Sequence, residues 1–236
     1  MRRALIIIAL LALLDFLQLY SQELTISDFL AQIEKIYGSD ADLVNGEKYF
    51  YPYYQSLGDP FFLPESQSAK ITIHEKEFEG QMLRYDIFNQ KLILDYENIY
   101  GASSSLVLRN EWVESFAFEG RRFICMHGPD GNPGFFQLVT EGPVNCVYHW
   151  SKEHLLNLSS GVQSFYFTEP SKESFLVIDG AFYPYKSNGS FIKTFSADLQ
   201  KPIKQFMRQA KIKVKSASDS QMRHLVEYCN ALSHEN

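Results

Sequence analysis

Polar and apolar positions alternate through the middle of this chain with the period of a strand. From Ala69, Ile71 and Ile73 share one face while Lys70, Thr72 and His74 share the other, which is the pattern of a half-buried strand. The strongest hairpin joins residues 81–88 to residues 91–96. A two-residue turn at Asn89 and Gln90 sets Leu83, Tyr85 and Ile87 opposite Tyr96, Leu94 and Leu92, and the same register sets Arg84 opposite Asp95. Slipping that register by one residue would turn the charges inward. Further strands are predicted over 104–109, 112–118, 121–127, 134–140, 144–150, 163–168, 174–179 and 181–185, with Glu119-Gly120, Asp130-Gly131, Gly142-Pro143 and Asp179-Gly180 as turns. Many short strands at close spacing predict a mainly β fold, an antiparallel meander forming an open barrel or a sandwich, and argue against βαβ units.

Helical spacing is confined to the ends. Ser27 caps a short N-terminal helix carrying Phe29, Leu30, Ile33 and Tyr37, and Gly38 stops it. After Asn188 and Gly189 the character changes, and with Ser196 or Asp198 as a cap a C-terminal pair of helices is predicted over 199–210 and 218–232. Ile203, Phe206 and Met207 form the buried stripe of the first, and Met222, Leu225, Val226 and Cys229 that of the second. Before the hairpin, Tyr49 to Tyr54 is dense in aromatics and broken by Pro52, and Gly58, Asp59, Pro60 and Pro64 follow, so an irregular packed segment is expected.

The N-terminus adds a compartment. Met1, Arg2 and Arg3 precede an apolar run over residues 4–14, too short to span a bilayer, and Ser21 offers a cut before Gln22. Residues 1–21 are therefore expected to be a cleaved signal peptide and 22–236 a single mainly β domain, its helices over about 198–233. No cysteine stands at the cut to carry a lipid. The chain is expected to be exported, to the periplasm, to the outer membrane or as a secreted protein. Net charge is −6, which speaks against a nucleic-acid partner.

Candidate chemistry is sparse. Cys125 and Cys146 fall two strand spacings apart, beyond disulfide reach, and Cys229 is the odd third. Cys125 with His127 and Cys146 with His149 have the residue types of a zinc site, but Cys146 and His149 point to opposite faces of one strand. His149 and His154 are five apart, the wrong interval for a helical zinc pair. The loop at Asp130 and Asn132 offers too few oxygens for calcium. No serine sits in a hydrolase elbow. No metal, cofactor or catalytic residue is assigned, and an enzyme is not the expected reading.

Two surfaces remain. Tyr49, Tyr51, Tyr53 and Tyr54 could form an aromatic platform for a sugar or peptide, with core packing as the plainer alternative. Lys201, Lys204, Arg208 and Lys211 fall on one helical face of a basic run that continues to Lys213 and Lys215. That face is either a contact for acidic headgroups or an acidic partner, or the solvated side of an amphipathic helix.

The segment around the Asn45-Gly46 turn, Pro60 to Phe62, the stretch holding Arg84, Tyr85, Asp86 and Asn89, the strand start at Gly134 to Phe136, and the closing lysine-rich helices form a layout. It resembles uncharacterised exported envelope proteins of the Bacteroidota type. The resemblance implies an envelope location and a mainly β fold, and no activity. The expected function is a non-enzymatic binding or assembly module for an envelope partner, whether protein, glycan or lipid, with peripheral membrane contact. The alternatives are an apolar-ligand or lipid carrier on an open barrel, and a hydrolase with a non-obvious site.

Overall fold

The computed structural model describes residue 43 and residues 46–97, 101–157 and 164–234. The expected signal peptide and the helix capped by Ser27 lie outside the described residues. Fourteen strands and three helices follow. The strands are β1 (Glu47–Lys48), β2 (Ser56–Leu57), β3 (Gln67–Ile73), β4 (Lys76–Asp86), β5 (Lys91–Glu97), β6 (Ser103–Val107), β7 (Val113–Phe118), β8 (Arg121–His127), β9 (Pro133–Thr140), β10 (Val144–Ser151), β11 (His154–Asn157), β12 (Ser164–Phe167), β13 (Ser171–Ile178) and β14 (Ala181–Pro184). The helices are α1 (Asn188–Lys193), α2 (Ala197–Gln209) and α3 (Asp219–His234), and none among the described residues is long and apolar enough to cross a membrane.

Eleven strands make one antiparallel sheet in the order β1-β6-β5-β4-β3-β7-β8-β9-β10-β13-β14, which does not close. Its edges are short: β1 has two residues, and β14 has four and ends at Pro184. A second sheet, β11-β12-β2, has one antiparallel and one parallel pair. Tight turns explain the meander. Glu119-Gly120 and Asp179-Gly180 both adopt positive φ at two consecutive positions, the geometry whose twist matches two paired strands.

The large sheet curls. β4 and β9 are four strand spacings apart, about 19 Å in a flat sheet, yet the Tyr85 and Phe135 rings lie 5.8 Å apart and the Tyr85 hydroxyl reaches the Phe135 carbonyl at 3.4 Å. Inside the curl, Tyr85, Phe116, Phe123 and Phe135 pack edge-to-face and stacked, all essentially without solvent contact. Each such ring contributes about 2–3 kcal/mol of burial. Gln90 ties the curl shut: its amide accepts from Tyr85 at 2.6 Å and donates to the Trp150 carbonyl at 2.9 Å.

The β4–β5 hairpin keeps its expected faces in a different register. Leu83 pairs with Leu94 and Tyr85 with Leu92, two residues from the expected alignment, because residues 87–90 form a four-residue loop. Asp86 sets that loop, accepting from the backbone of Phe88 at 3.0 Å and of Asn89 at 2.8 Å, while Gln90 takes positive φ. Arg84 therefore stands opposite Ile93 and reaches Asp95 diagonally, in a bidentate pair at 2.8 and 2.7 Å.

A second core lies where β9, β10, β13 and β14 meet the helices, built from Cys146, Tyr148, Leu176, Tyr185, Phe191, Ile203, Met207, Leu225, Val226 and Cys229 among others. Asn230 fastens α3 to the sheet in the manner of a paired strand. Its side chain accepts from Val144 N–H at 2.8 Å and donates to Val144 C=O at 3.0 Å. Trp150 packs against both cores. Its Nε1 donates to Gln137 at 2.8 Å, and Gln137 donates in turn to Asp219 at 2.6 Å.

Candidate functional site

The four tyrosines of the aromatic segment do not form one platform. Tyr49 lies half-buried beside Phe61, with the Arg84 guanidinium 5.6 Å from its ring, and burial pushes its hydroxyl pKa up. Tyr51 meets Tyr53 and Tyr54 edge-to-face at 5.7 and 5.3 Å. Tyr53 packs on Phe88, His154 and Phe167 and its oxygen accepts from Asn89 at 3.0 Å, so it joins the small sheet to the β4–β5 loop. Tyr54, at 83% exposure, stands in solvent with Phe50. Tyr53 thus packs between the two sheets, and Tyr49 and Tyr51 pack on Phe61.

The sulfur and imidazole groups are dispersed. Cys125 and Cys146 sit on β8 and β10 with β9 between them, and all three cysteines are free thiols. Burial pushes the Cys146 and Cys229 thiols up to about 11 and about 12, so neither presents a thiolate near neutral pH. Cys146 belongs to the helix-side core, while His149 lies beside Phe136 on the opposite face of β10. His154 faces the small sheet, 2.9 Å from the Ser56 hydroxyl and stacked on Phe167. The Asp130 carboxylate takes both the backbone and the side-chain N–H groups of Asn132 within its own loop. Among the described residues no three His, Cys, Asp or Glu side chains converge as metal ligands.

The basic face of α2 is built differently. Ile203 and Met207 turn into the core, which leaves Lys201, Lys204 and Arg208 on the outer face at helical spacing. The helix ends in a double-bonded cap: Lys211 N–H donates to Arg208 C=O at 3.3 Å and Ile212 N–H to Met207 C=O at 2.9 Å. This motif normally places glycine where the chain turns left-handed, but here that residue is Lys211, at φ 54°.

A helix not foreseen in the sequence supplies the facing wall. Asn188 and Gly189 open α1, capped by Ser187 and Ser190, which bond each other's backbone N–H groups. Asn188 clamps this wall to the segment leaving α2, accepting from Val214 N–H at 2.9 Å and donating to Ile212 C=O at 3.4 Å. The serine pair was the available signal, but the expected capping box carries Glu or Gln at its third position.

Between α1, α2 and that segment lies a groove of about 830 Å³. Its floor is apolar, with Ile192, Met207 and Ile212, and its rim carries Lys193, Lys201, Lys204, Arg208, Lys211 and Lys213. All six cations are exposed, and none pairs with a carboxylate among the described residues. No acidic, imidazole, thiol or hydroxyl side chain lines the groove among the described residues. Within residues 186–215 eight basic residues face the lone carboxylate of Asp198, in a chain whose net charge is −6. The groove holds fixed positive charge around an apolar strip.

No protein-family model, no curated protein and no solved structure matches this chain. The reading of the site therefore rests on its geometry.

Proposed function

We propose that this chain is a non-enzymatic binding module of the cell envelope, reached by export, that takes an anionic partner in the groove between α1 and α2. One observation carries the reading: six cations that pair with no carboxylate among the described residues converge on one concave surface. Surface lysines usually stand among acidic neighbours, and a cluster of one sign stores repulsion that an anion relieves. The curl of β4 against β9 supports the open-barrel form of the sheet. Rings of Tyr85, Phe116, Phe123 and Phe135 fill that curl, which favours an external groove over a carrier with an internal chamber. Titration of the purified chain with inorganic tripolyphosphate at low ionic strength tests the reading. Saturable binding that disappears in a Lys204→Glu/Arg208→Glu double variant is expected. Absence of binding, or binding indifferent to the double variant, would refute it.

A further inference from the structure

We infer that the groove's ligand is an anionic phospholipid at a bilayer surface, its phosphate among the rim cations and the first carbons of an acyl chain on the floor. This inference rests on the anion-binding reading above and narrows it. Two features of the groove select the lipid over other anions, and a third supplies the probe that tests it.

The first is the floor. Ile192, Met207 and Ile212 form an apolar strip between two cationic walls, and an acidic peptide or polyphosphate has no use for such a strip. A lipid presents both chemistries within a few ångströms, and lysine stems can lie along the chain while their ammonium groups hold the phosphate. A volume of about 830 Å³ falls within the range of small-ligand sites.

The second is charge distribution. With a net charge of −6 overall and eight basic residues against one acidic residue in 186–215, the chain outside this segment is strongly acidic. That acidic excess offers an extended polyanion nothing beyond the groove, whereas a single headgroup is held by the rim cations alone. Against an anionic bilayer the same asymmetry orients the molecule with its helix layer toward the membrane.

The third is Lys211. Glycine would fit the left-handed cap at φ 54° without strain, and a lysine there is held against local preference. Lys211 shares a positive φ with five other non-glycine residues among those described, and its side chain stands at the lip of the charged groove. It also separates binding from folding, because Lys211→Gly removes a cation and relieves the cap in one step.

The test is sedimentation of the purified chain with vesicles of phosphatidylglycerol or of phosphatidylcholine, with tripolyphosphate titration run alongside. Partitioning onto phosphatidylglycerol vesicles only, weakening as salt is raised, is expected. Lys211→Gly should lower that partitioning about five-fold, the weight of one cation near an anionic surface, while its Tm stays at or above the parent's. Ile192→Gln should weaken vesicle binding and leave tripolyphosphate binding unchanged, since it makes the floor polar and removes no rim cation. Tripolyphosphate binding without preference for phosphatidylglycerol vesicles overturns the lipid inference and leaves the anion-binding reading standing. Failure of both ligands overturns both. Undiminished vesicle binding by Lys211→Gly or Ile192→Gln places any lipid outside the groove and overturns the inference.

Discussion

Gln137 is a joint between the two cores, and its removal has a calculable cost. Its side chain is buried in β9 and bridges Trp150, which packs on both cores, to Asp219 at the start of α3. In a Gln137→Leu variant the volume is nearly kept, but the Trp150 N–H loses its acceptor, at a cost of about 1–3 kcal/mol. Asp219 also loses a donor. Its side chain is 37% exposed and can turn to water, so this term stays under about 1 kcal/mol. The added apolar burial returns about 1 kcal/mol. The net loss is about 2 kcal/mol, which for a domain of roughly 200 residues lowers Tm by about 4–8 °C. Thermal melts followed by tryptophan emission measure this directly, in a Trp112→Phe background so that Trp150 is the reporter. Emission should shift to the red as water reaches the freed indole N–H. A Tm within about 1 °C of the parent, with unchanged emission, would show that the Gln137 bridge does not join the cores.

Two further outcomes follow from the same physics. Burial pushes the His149 imidazole pKa down, against the opposing charges of Glu173 and Asp130. The folded state thus binds this proton less readily than the unfolded state, and stability falls as pH drops from the ordinary value of 6.5 through the lower folded one. Urea midpoints at about pH 7.5 and pH 5.5 should therefore converge in His149→Gln relative to the parent, and an identical acid-side loss in both proteins would contradict this. Asn230→Ala removes the partners of both Val144 backbone groups, a loss of about 2–4 kcal/mol; hydrogen exchange at Val144 should accelerate, and a protected amide there would refute the assignment.

The strand pattern was legible because period two depends on which face each residue occupies. The 121–127 strand matches β8, and the 134–140 and 144–150 strands differ from β9 and β10 by one residue at one end. Register was less legible for the same reason. A slip of two residues keeps Leu83, Tyr85, Leu92 and Leu94 on their face, and contacts within the loop, Asp86's bonds to Phe88 and Asn89 among them, select the four-residue form. The β3–β4 turn was hidden because His74 and Glu75 take positive φ without a glycine; the Glu75 N–H is held by the Glu114 carboxylate from β7, a tertiary contact. In the groove, the α2 cations were visible as a helical stripe. Lys193, Asn188 and Ile192 were not, since Asn188-Gly189 reads locally as a turn and becomes a helix start only under the Ser187 cap.

Among the described residues the open eleven-stranded sheet ends in two outer strands, and their shape bears on how copies of the protein meet in a crowd. An unpaired strand invites another chain to add to it, and long flat rims seed aggregates. Here one rim is two residues long, and the other stops after four at Pro184, which has no N–H to offer, before the chain turns away into α1. A visiting strand finds too few anchoring points to hold. Neither outer strand of the large sheet is thus a long template for strand addition.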